Sequence, residues 1–422
     1  MAILQGQLEK QTGLGRQGKS NGNAARQSIA LDASGDSPGL IDRSDDFFEP
    51  ATSSSDNQSS TGNSPPEKGT PSDTPTTPLD RGVAFLMSQQ SDDGLWRSEY
   101  YGNLKQGAAI TAFVLSCMPD ATNKLALQSA VTALLPEIRK NGYVTNADGP
   151  DYSNYGSAML LLADNRLELE LPDAVKQQLV DYLVRSQLNS EEEFQESNVD
   201  YGGWDLSGWM TGARRTTGSN TSVSASVLQT LALFRDQPKV AEAIETAQLW
   251  ATRVQNKNGD GGFYFHPKRD HDGNKAGWAD DNQRNDTRSY GSATADGLRI
   301  LQALNKSAYD PAVVAAVAWL SGKTTGESDL GQVPGFSHEA GEHSWSHGLR
   351  YYYFQSLSHS LHLFPTEDGQ RIARSIIDIV TTQQRQDGSW ANSNARMRED
   401  DPIIATGFAI TALRNCQQFL NE

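Results

Sequence analysis

Acidic side chains stand just before two nearly uncharged, helix-like segments of the sequence. Asp286 precedes the segment 290–298, and Asp400 and Asp401 precede the segment 404–413. A carboxylate held in a cleft suits general acid catalysis, because its surroundings can raise its pKa. The competing interpretation is helix capping, a role that Asp often fills. We therefore predict Asp286, Asp400 and Asp401 as catalytic candidates, with capping as the alternative.

Asp296 differs from these acids because it lies inside a nearly uncharged segment. A carboxylate in a buried helix usually has a partner, and Arg299 is close enough on a helix to be one. Asp296 is thus either half of a structural ion pair or an acid facing a cavity. Both interpretations stay open, and we place Asp296 among the candidate substrate-binding residues.

Four tyrosines occupy or adjoin two of the uncharged segments. Tyr290 begins one of them, and Tyr351, Tyr352 and Tyr353 form a run in another. Their rings could line a pocket for an apolar or cationic molecule through their π faces. These four residues are therefore candidates for substrate binding.

The histidines raise the question of a metal site. All seven fall between His266 and His362. The pairs His343/His347 and His359/His362 have the spacing that places two imidazoles on one helix face. No cysteine accompanies them and nothing fixes a third ligand, so we predict neither a metal nor any other cofactor.

The elements that would position these residues repeat along the chain. Residues 81–96 combine an apolar helical face, a glutamine, a polar turn and Gly-x-Trp, and weaker copies follow. The six turns end at Trp96, Tyr143, Trp204, Phe263, Phe336 and Trp390, roughly 47 to 73 residues apart, within or above the spacing of helical arrays.

Each turn separates two kinds of helical segment. The segment before it is amphipathic, and the one after it is rich in Ala, Ser, Thr and Gly. Helices of the first kind belong on the outside of a fold, whereas helices of the second kind are buried. Six alternations predict an all-α (α/α)6 toroid, a double ring of about twelve helices. The turns themselves fasten neighbouring helices, so their role is structural.

Composition divides the chain into two regions. Residues 1–78 are dense in Ser, Asn, Gly, Asp and Pro and contain two aromatic residues, Phe47 and Phe48. Such a segment cannot bury enough apolar surface to offset its ordering entropy. We predict a disordered tail and linker over 1–78 and the toroid over 79–422.

Charge and hydropathy limit the partners. The net charge of −16 argues against nucleic acid, whose binding proteins carry a basic face. No stretch has the length and apolarity of a transmembrane segment. The N-terminus lacks the basic and apolar regions of a signal peptide, which predicts a cytoplasmic protein, or an exported one if the true start lies upstream.

The stretch 81–96 resembles the QW motif of the terpenoid cyclase and protein prenyltransferase superfamily, and the resemblance extends over 79–416. Segments such as 274–278, 288–294 and 386–392 are more similar still to uncharacterised planctomycete proteins with prenyltransferase/squalene oxidase repeats. The resemblance implies an α/α toroid with a central cavity for isoprenoids. Two of the superfamily's motifs are not matched: the Asp-x-Asp-Asp acid of squalene cyclases, and the prenyltransferase zinc site, where Tyr290 takes the place of the cysteine.

Three hypotheses follow. The first is a toroid that binds or transforms an isoprenoid-like apolar molecule in its cavity. The second is a carbohydrate-active toroid with two carboxylates across a sugar. The third is a non-catalytic scaffold with a filled centre that binds a protein partner. The sequence leaves open whether the protein is an enzyme. A transferase or isomerase is the form the resemblance implies.

The predicted boundary can be tested by deletion. A variant that begins at Pro78 should keep its helical circular dichroism and melt cooperatively near the full-length midpoint, because the tail adds no packed core. A fall of many degrees in the melting temperature would show that residues 1–77 dock on the toroid.

Overall fold

The computed structural model describes residues 77–147, 152–190, 194–206, 218–257, 259–268, 274–280, 283–324, 332–336 and 344–422. Most of the predicted tail lies outside these residues, as does His343. Within them, α-helices dominate, and one hairpin of two short strands is the only sheet. The prediction of an all-α fold is confirmed.

The helices follow one another with short connections and a few short 3₁₀ turns. In chain order the elements are α1 (Pro78–Ser88), α2 (Ala108–Cys117), α3 (Lys124–Asn141), α4 (Ser153–Leu167), α5 (Asp173–Arg185), α6 (Thr221–Leu231), α7 (Pro238–Val254), β1 (Trp278–Asp280), β2 (Gln283–Thr287), α8 (Gly291–Ala303), α9 (Pro311–Thr324), α10 (Trp345–Gly348), α11 (Arg350–Ser358), α12 (Thr366–Thr382) and α13 (Pro402–Asn421). Strands β1 and β2 are antiparallel, with Trp278 opposite Thr287 and Asp280 opposite Gln283.

Six of these helices form a closed inner ring. Each of α2, α4, α6, α8 and α11 packs against the next, and α13 packs against both α11 and α2. The other long helices, α1, α3, α5, α7, α9 and α12, lie outside this ring and contact it. The arrangement is the predicted (α/α)6 toroid, with the single-turn α10 as an addition.

The two rings differ in the residues that build them. Every residue of α8 except Gln302 is buried, and α13 is buried from Ile403 through Leu413. In the outer helix α12, Ile372, Ile376 and Val380 are buried, whereas the charged face is accessible to solvent. A single apolar stripe places a helix at the surface, and burial on all sides places it in the core.

Small residues allow the inner helices to approach closely. A Cβ atom on Gly297 of α8 would lie 2.4 Å from the Phe263 ring, and one on Gly407 of α13 would lie 2.6 Å from the Phe113 ring. Glycine inside a helix costs roughly 0.5–1 kcal/mol relative to alanine. The fold accepts that cost because these aromatic rings occupy the space that a Cβ would need.

Three of the recurring turns fasten an outer helix by carbonyl groups near its end. The indole Nε1 atoms of Trp96, Trp204 and Trp390 donate to the carbonyls of Leu86, Leu183 and Val380 at 2.6, 2.8 and 2.7 Å, respectively. These carbonyls near the helix ends have few partners within their own helix. All three tryptophans are fully buried. The predicted structural role of the turns is therefore visible in their contacts.

A glutamine in four of the turns connects one outer helix to the next. Its Nε2 donates to a carbonyl in its own turn and to a carbonyl near the start of the following outer helix. Each glutamine and its two acceptors are Gln90 with Gly94 and Ala126, Gln187 with Gly202 and Ala243, Gln255 with Gly261 and Ala312, and Gln384 with Gly388 and Pro78. The bond from Gln384 to Pro78 closes the ring, since Pro78 begins α1.

The closure contacts give a stability prediction. Trp390→Ala should lower the free energy of unfolding by about 3–5 kcal/mol, because it removes a buried indole. Trp390→Phe should cost less but should still lose the hydrogen bond to Val380, worth about 1 kcal/mol. Denaturant unfolding of both variants measures this. Tyr309→Ala is the control, because Tyr309 is 92% exposed. Equal midpoints for Trp390→Ala and Tyr309→Ala would contradict the fastening role.

Candidate active-site cavity

The inner ring surrounds a cavity of about 540 Å³. All six inner helices contribute side chains to its wall: Phe113 from α2, Tyr155 from α4, Gln229 from α6, Asp296 from α8, Tyr352 from α11 and Phe408 from α13. The connections before the inner helices add Tyr152, Lys275 and Tyr290. This volume lies within the roughly 300–1,000 Å³ of small-molecule sites.

Aromatic and aliphatic side chains make up much of the wall. Phe408 contacts Phe113 and Tyr352 edge to face, with centroid distances of 5.1 and 5.4 Å. Ile110 and Met159 extend the apolar surface. Rings packed in this way have fixed orientations towards the cavity. Their faces and edges suit an apolar chain or a cationic carbon centre.

Asp296 supplies the acidic group of the cavity. Its Oδ1 accepts hydrogen bonds from Arg299 at 2.9 Å and from Ser356 at 2.6 Å, and its Oδ2 accepts one from the Tyr352 hydroxyl at 2.7 Å. Asp296 is 1% exposed. Burial raises the pKa of its carboxyl group, while the positive charge of Arg299 and the three donors oppose this shift. Asp296 therefore pairs with Arg299 and also faces the cavity, so both interpretations of the sequence describe its position.

Polar residues hold this carboxyl group in position. The Arg299 guanidinium also donates to Oε1 of Gln229 on the neighbouring helix, from Nε at 3.2 Å and from Nη2 at 2.7 Å. The hydroxyl groups of Tyr155 and Ser222 form a hydrogen bond nearby. Burial raises the pKa of the Tyr155 phenol, and the charge of Asp296 raises it further. The phenol is therefore neutral at ordinary pH and can donate.

Two arginines and a histidine stand where the inner helices end. Arg414 donates to the carbonyls of Cys117 and Met118 at the end of α2, and Arg166 pairs with Asp120. Burial lowers the pKa of His359 well below its usual value, and the positive charges of the nearby arginines lower it further. The guanidinium groups are thus engaged with the protein, and the His359 imidazole is neutral.

The tyrosines predicted to bind substrate lie in two different environments. Tyr290 and Tyr352 line the cavity. Tyr351 and Tyr353 are buried but are not among its lining residues. The Tyr351 hydroxyl donates to Gln383 at 3.1 Å, and the Tyr353 ring packs against Phe354. The structure brings Tyr290, Tyr352 and Asp296 together at the cavity.

The three acids predicted as catalytic are not among the cavity-lining residues. Asp401 is the N-cap of α13, where its Oδ1 accepts from the Ile403 backbone at 2.9 Å and its Oδ2 accepts from Ser98. Asp400 accepts a hydrogen bond from the Tyr101 hydroxyl. Asp286 lies in β2, where Oδ1 accepts from the Thr287 backbone at 3.0 Å. Asp401 has the geometry of the capping alternative.

Glu399 carries a positioning role that the sequence did not suggest. Its fully buried carboxylate accepts from the backbone N–H groups of Tyr351 and Tyr352 at 3.1 and 2.8 Å, and from Asn392 at 3.2 Å. Burial raises its pKa to about 7, although the three donors favour the charged form. Glu399 satisfies the free N–H groups of the first turn of α11.

The histidines do not assemble into a metal site in the described part of the chain. No group of three or more His, Cys, Asp or Glu side chains with metal-binding geometry occurs there. His347 Nδ1 lies 3.0 Å from Arg350, and His362 lies 2.7 Å from the Gln302 amide. Of the pair His343/His347, His343 lies outside the described residues. Both cysteines are free and buried.

Comparison with solved structures supports the fold. The type II terpene cyclase MstE from Scytonema has a TM-score of 0.53 and 15% sequence identity, with 81% of this chain and 97% of that chain covered. A protein from Actinoplanes gives a TM-score of 0.54 at 17% identity, covering 81% and 98% of the two chains. The GH76A α-1,6-mannanase from a Salegentibacter species gives 0.50 at 13% identity, covering 81% and 98%.

These likenesses define a class of fold. Terpene cyclases and mannanases both occur among the similar structures, so the likeness establishes the α/α toroid and leaves the reaction open. Other structures of the same cyclase hold geranylgeranyl dihydroxybenzoate, described as its substrate, and merosterolic acid A, described as its product. No protein-family model and no curated protein matches the chain.

No helix among the described residues has the length and apolarity needed to cross a membrane.

The ion pair in the cavity wall gives a prediction with a definite pH dependence. Arg299→Met leaves Asp296 buried without its cation, and at about pH 8 it should cost roughly 3–5 kcal/mol of unfolding free energy. Because burial raises the folded-state pKa of Asp296 above its ordinary value of 3.8, the cost should shrink as pH falls and the carboxyl group protonates.

The double variant Asp296→Leu/Arg299→Met is the control for this prediction. It removes both charges and should regain much of the lost stability. Thermal melts across the acidic to neutral range measure both variants. A loss in Arg299→Met that does not change with pH would indicate that Arg299 stabilises the fold through Gln229 and not through Asp296.

Proposed function

We propose that the protein binds an isoprenoid-like apolar molecule in its central cavity and that Asp296 acts on it as a general acid. The observation that carries this proposal is the composition of the wall. Aromatic and aliphatic residues surround one carboxyl group, which is the only carboxylate among the described residues that line the cavity.

The surroundings of Asp296 suit the protonation of a weakly basic group such as an alkene. Burial raises the pKa of Asp296 and so increases the fraction of its carboxyl group that is protonated and able to donate. Proton transfer to the alkene carbon leaves a carboxylate and a carbocation. Arg299, Ser356 and Tyr352 then donate to the carboxylate, and their hydrogen bonds strengthen as its charge develops. This stabilisation acts more on the transition state than on the ground state, which is the requirement for catalysis.

The aromatic wall would stabilise the carbocation that this proton transfer forms. The faces of Phe113 and Phe408 can stabilise a nearby positive carbon electrostatically. Transfer of a proton from a neighbouring carbon back to the Asp296 carboxylate would then complete an isomerisation or cyclisation and regenerate the acid without any further reactant. In this proposal Asp286 and Asp400 have no role in the chemistry, and Asp401 remains a helix cap.

The other two hypotheses fit the cavity less well. Glycoside hydrolysis in its usual form needs two carboxyl groups, about 5–10 Å apart, across the sugar. Asp296 has no carboxylate opposite it among the described lining residues. A scaffold would be expected to have a filled centre, whereas this cavity exceeds the roughly 300 Å³ that small-molecule sites require.

The proposal can be tested with prenyl alcohols, acids and polyprenyl dihydroxybenzoates of increasing chain length. Binding is measured by displacement of a fluorescent apolar probe, and turnover by mass spectrometry and chromatography of the extracted lipids. Asp296→Asn should retain binding, since its amide can accept from Arg299 and Ser356 while donating to the Tyr352 oxygen. It should lower turnover by at least roughly a hundredfold, as expected for loss of a general acid.

Asp401→Asn provides the comparison. Asn caps helices about as well as Asp, so stability should change by less than about 1 kcal/mol and turnover should persist. Loss of turnover in Asp401→Asn with retention in Asp296→Asn would transfer the acid role to the cap. Binding without turnover in the wild-type protein would overturn the acid role and leave a binding protein. No binding of any apolar chain would overturn the proposal.

A further inference from the structure

Lys275 is a further ionisable group of the cavity wall, and its environment is unusual. It lies between the fourth turn and β1, lines the cavity, and is 6% exposed. Its Nζ lies 3.3 Å from the centroid of the Phe265 ring, 5.7 Å from that of Trp345 and 6.0 Å from that of Tyr290. Three aromatic rings therefore surround one amine at the cavity wall.

No hydrogen bond or ion pair of the Lys275 amine is found among the described residues. The other buried charges near the cavity have partners. Asp296 has Arg299, Glu399 has three N–H donors, and Arg414 has two carbonyls. A buried ammonium without a counter-charge is costly, and cation–π contacts offset only part of that cost. Burial accordingly lowers the pKa of Lys275 to about 7.

The electrostatic potential around Lys275 favours an anion. Tyr290, the N-cap of α8, lines the cavity, so the positive end of that helix dipole lies beside it. Ser292, in the first turn of α8, lines the cavity as well. The nearest acid with an appreciable effect on Lys275 is Asp296, which Arg299 already neutralises. An anion entering the cavity would supply the counter-charge that the described residues do not provide.

We propose that Lys275 binds the carboxylate end of an amphiphilic ligand whose apolar chain fills the rest of the cavity. A single ammonium and one helix end match one negative charge. The proposal rests on the function proposed above, because it takes the apolar chain as given. It adds the end group, and it orients the ligand with its acid at the entrances of the inner helices.

The test compares two ligands that share one chain, farnesoic acid and farnesol. At about pH 6 the wild-type protein should bind the acid at least roughly tenfold more tightly than the alcohol, as expected for a buried charge-assisted hydrogen bond. Lys275→Met should abolish this preference while leaving the affinity for farnesol within roughly threefold, since methionine keeps the apolar stem. Lys124→Met is the matched control, because Lys124 is 55% exposed and pairs with Glu168.

The pH dependence gives an independent readout. Binding of the acid requires the ammonium, so its affinity in the wild-type protein should fall as pH rises above about 7. The affinity for farnesol should stay constant over the same range. Equal affinities for acid and alcohol would overturn the assignment of Lys275 and leave the apolar-ligand proposal standing. Absence of binding by both would overturn the two together. Tighter, Lys275-dependent binding of farnesyl diphosphate than of farnesoic acid would overturn the choice of a carboxylate.

The protein without ligand offers a further check. Replacing the Lys275 amine with methionine should raise the melting temperature, because it removes the cost of burying a charge. The gain should be full below about pH 7 and should shrink as pH rises towards the ordinary lysine pKa of 10.5, since the wild-type amine is then neutral in the folded state. A variant that melts below the wild-type protein at about pH 6 would show that the ammonium has a stabilising partner within the protein, and would overturn the proposal.

Discussion

The hydrogen bonds that tie each turn to the helices around it determine the geometry of this toroid. In four turns, the backbone N–H of the aromatic residue donates a hydrogen bond to a hydroxyl group on an inner helix. The donors and acceptors are Trp96 and Thr111, Trp204 and Ser224, Phe263 and Thr294, and Trp390 and Thr406. The turn glutamines bind the next outer helix. Because the spacing of both rings is set by these contacts and not by side chains meeting at the axis, a cavity can remain at the centre without collapse of the helices.

Burial in the cavity wall in turn limits which charges the site can hold. A charged side chain removed from water there needs a protein partner or a ligand. Asp296 and Arg299 satisfy each other, and Ser356 and Tyr352 complete the carboxylate's hydrogen bonds. Lys275, among the described residues, has aromatic faces alone. Asp296 is therefore held in place for chemistry or structure, whereas Lys275 is suited to bind an incoming anion.

The repeats made the fold predictable, because their spacing, turns and two kinds of helix were all visible in the sequence. The site was less so. Tyr351, Tyr352 and Tyr353 look equivalent in the sequence, but successive residues on a helix point about 100° apart, so only Tyr352 faces the axis. Lys275 gave no signal, since a lone lysine in a polar connection resembles any surface lysine. Its burial depends on Phe265 and Trp345, which lie 10 and 70 residues away in the sequence.

Glu399 shows how the acidic segment before α13 contributes to the site without entering the cavity. Its carboxylate fixes the first turn of α11 by binding the backbone N–H groups of Tyr351 and Tyr352. The direction of the Tyr352 side chain follows from that turn, and the Tyr352 hydroxyl donates to Asp296 on α8. Three successive units of the ring thus converge on one carboxyl group. Asp400 and Asp401 suggested catalysis from the sequence, but the contribution of this segment is helix placement, with Asp401 fixing the start of α13 and Glu399 the start of α11.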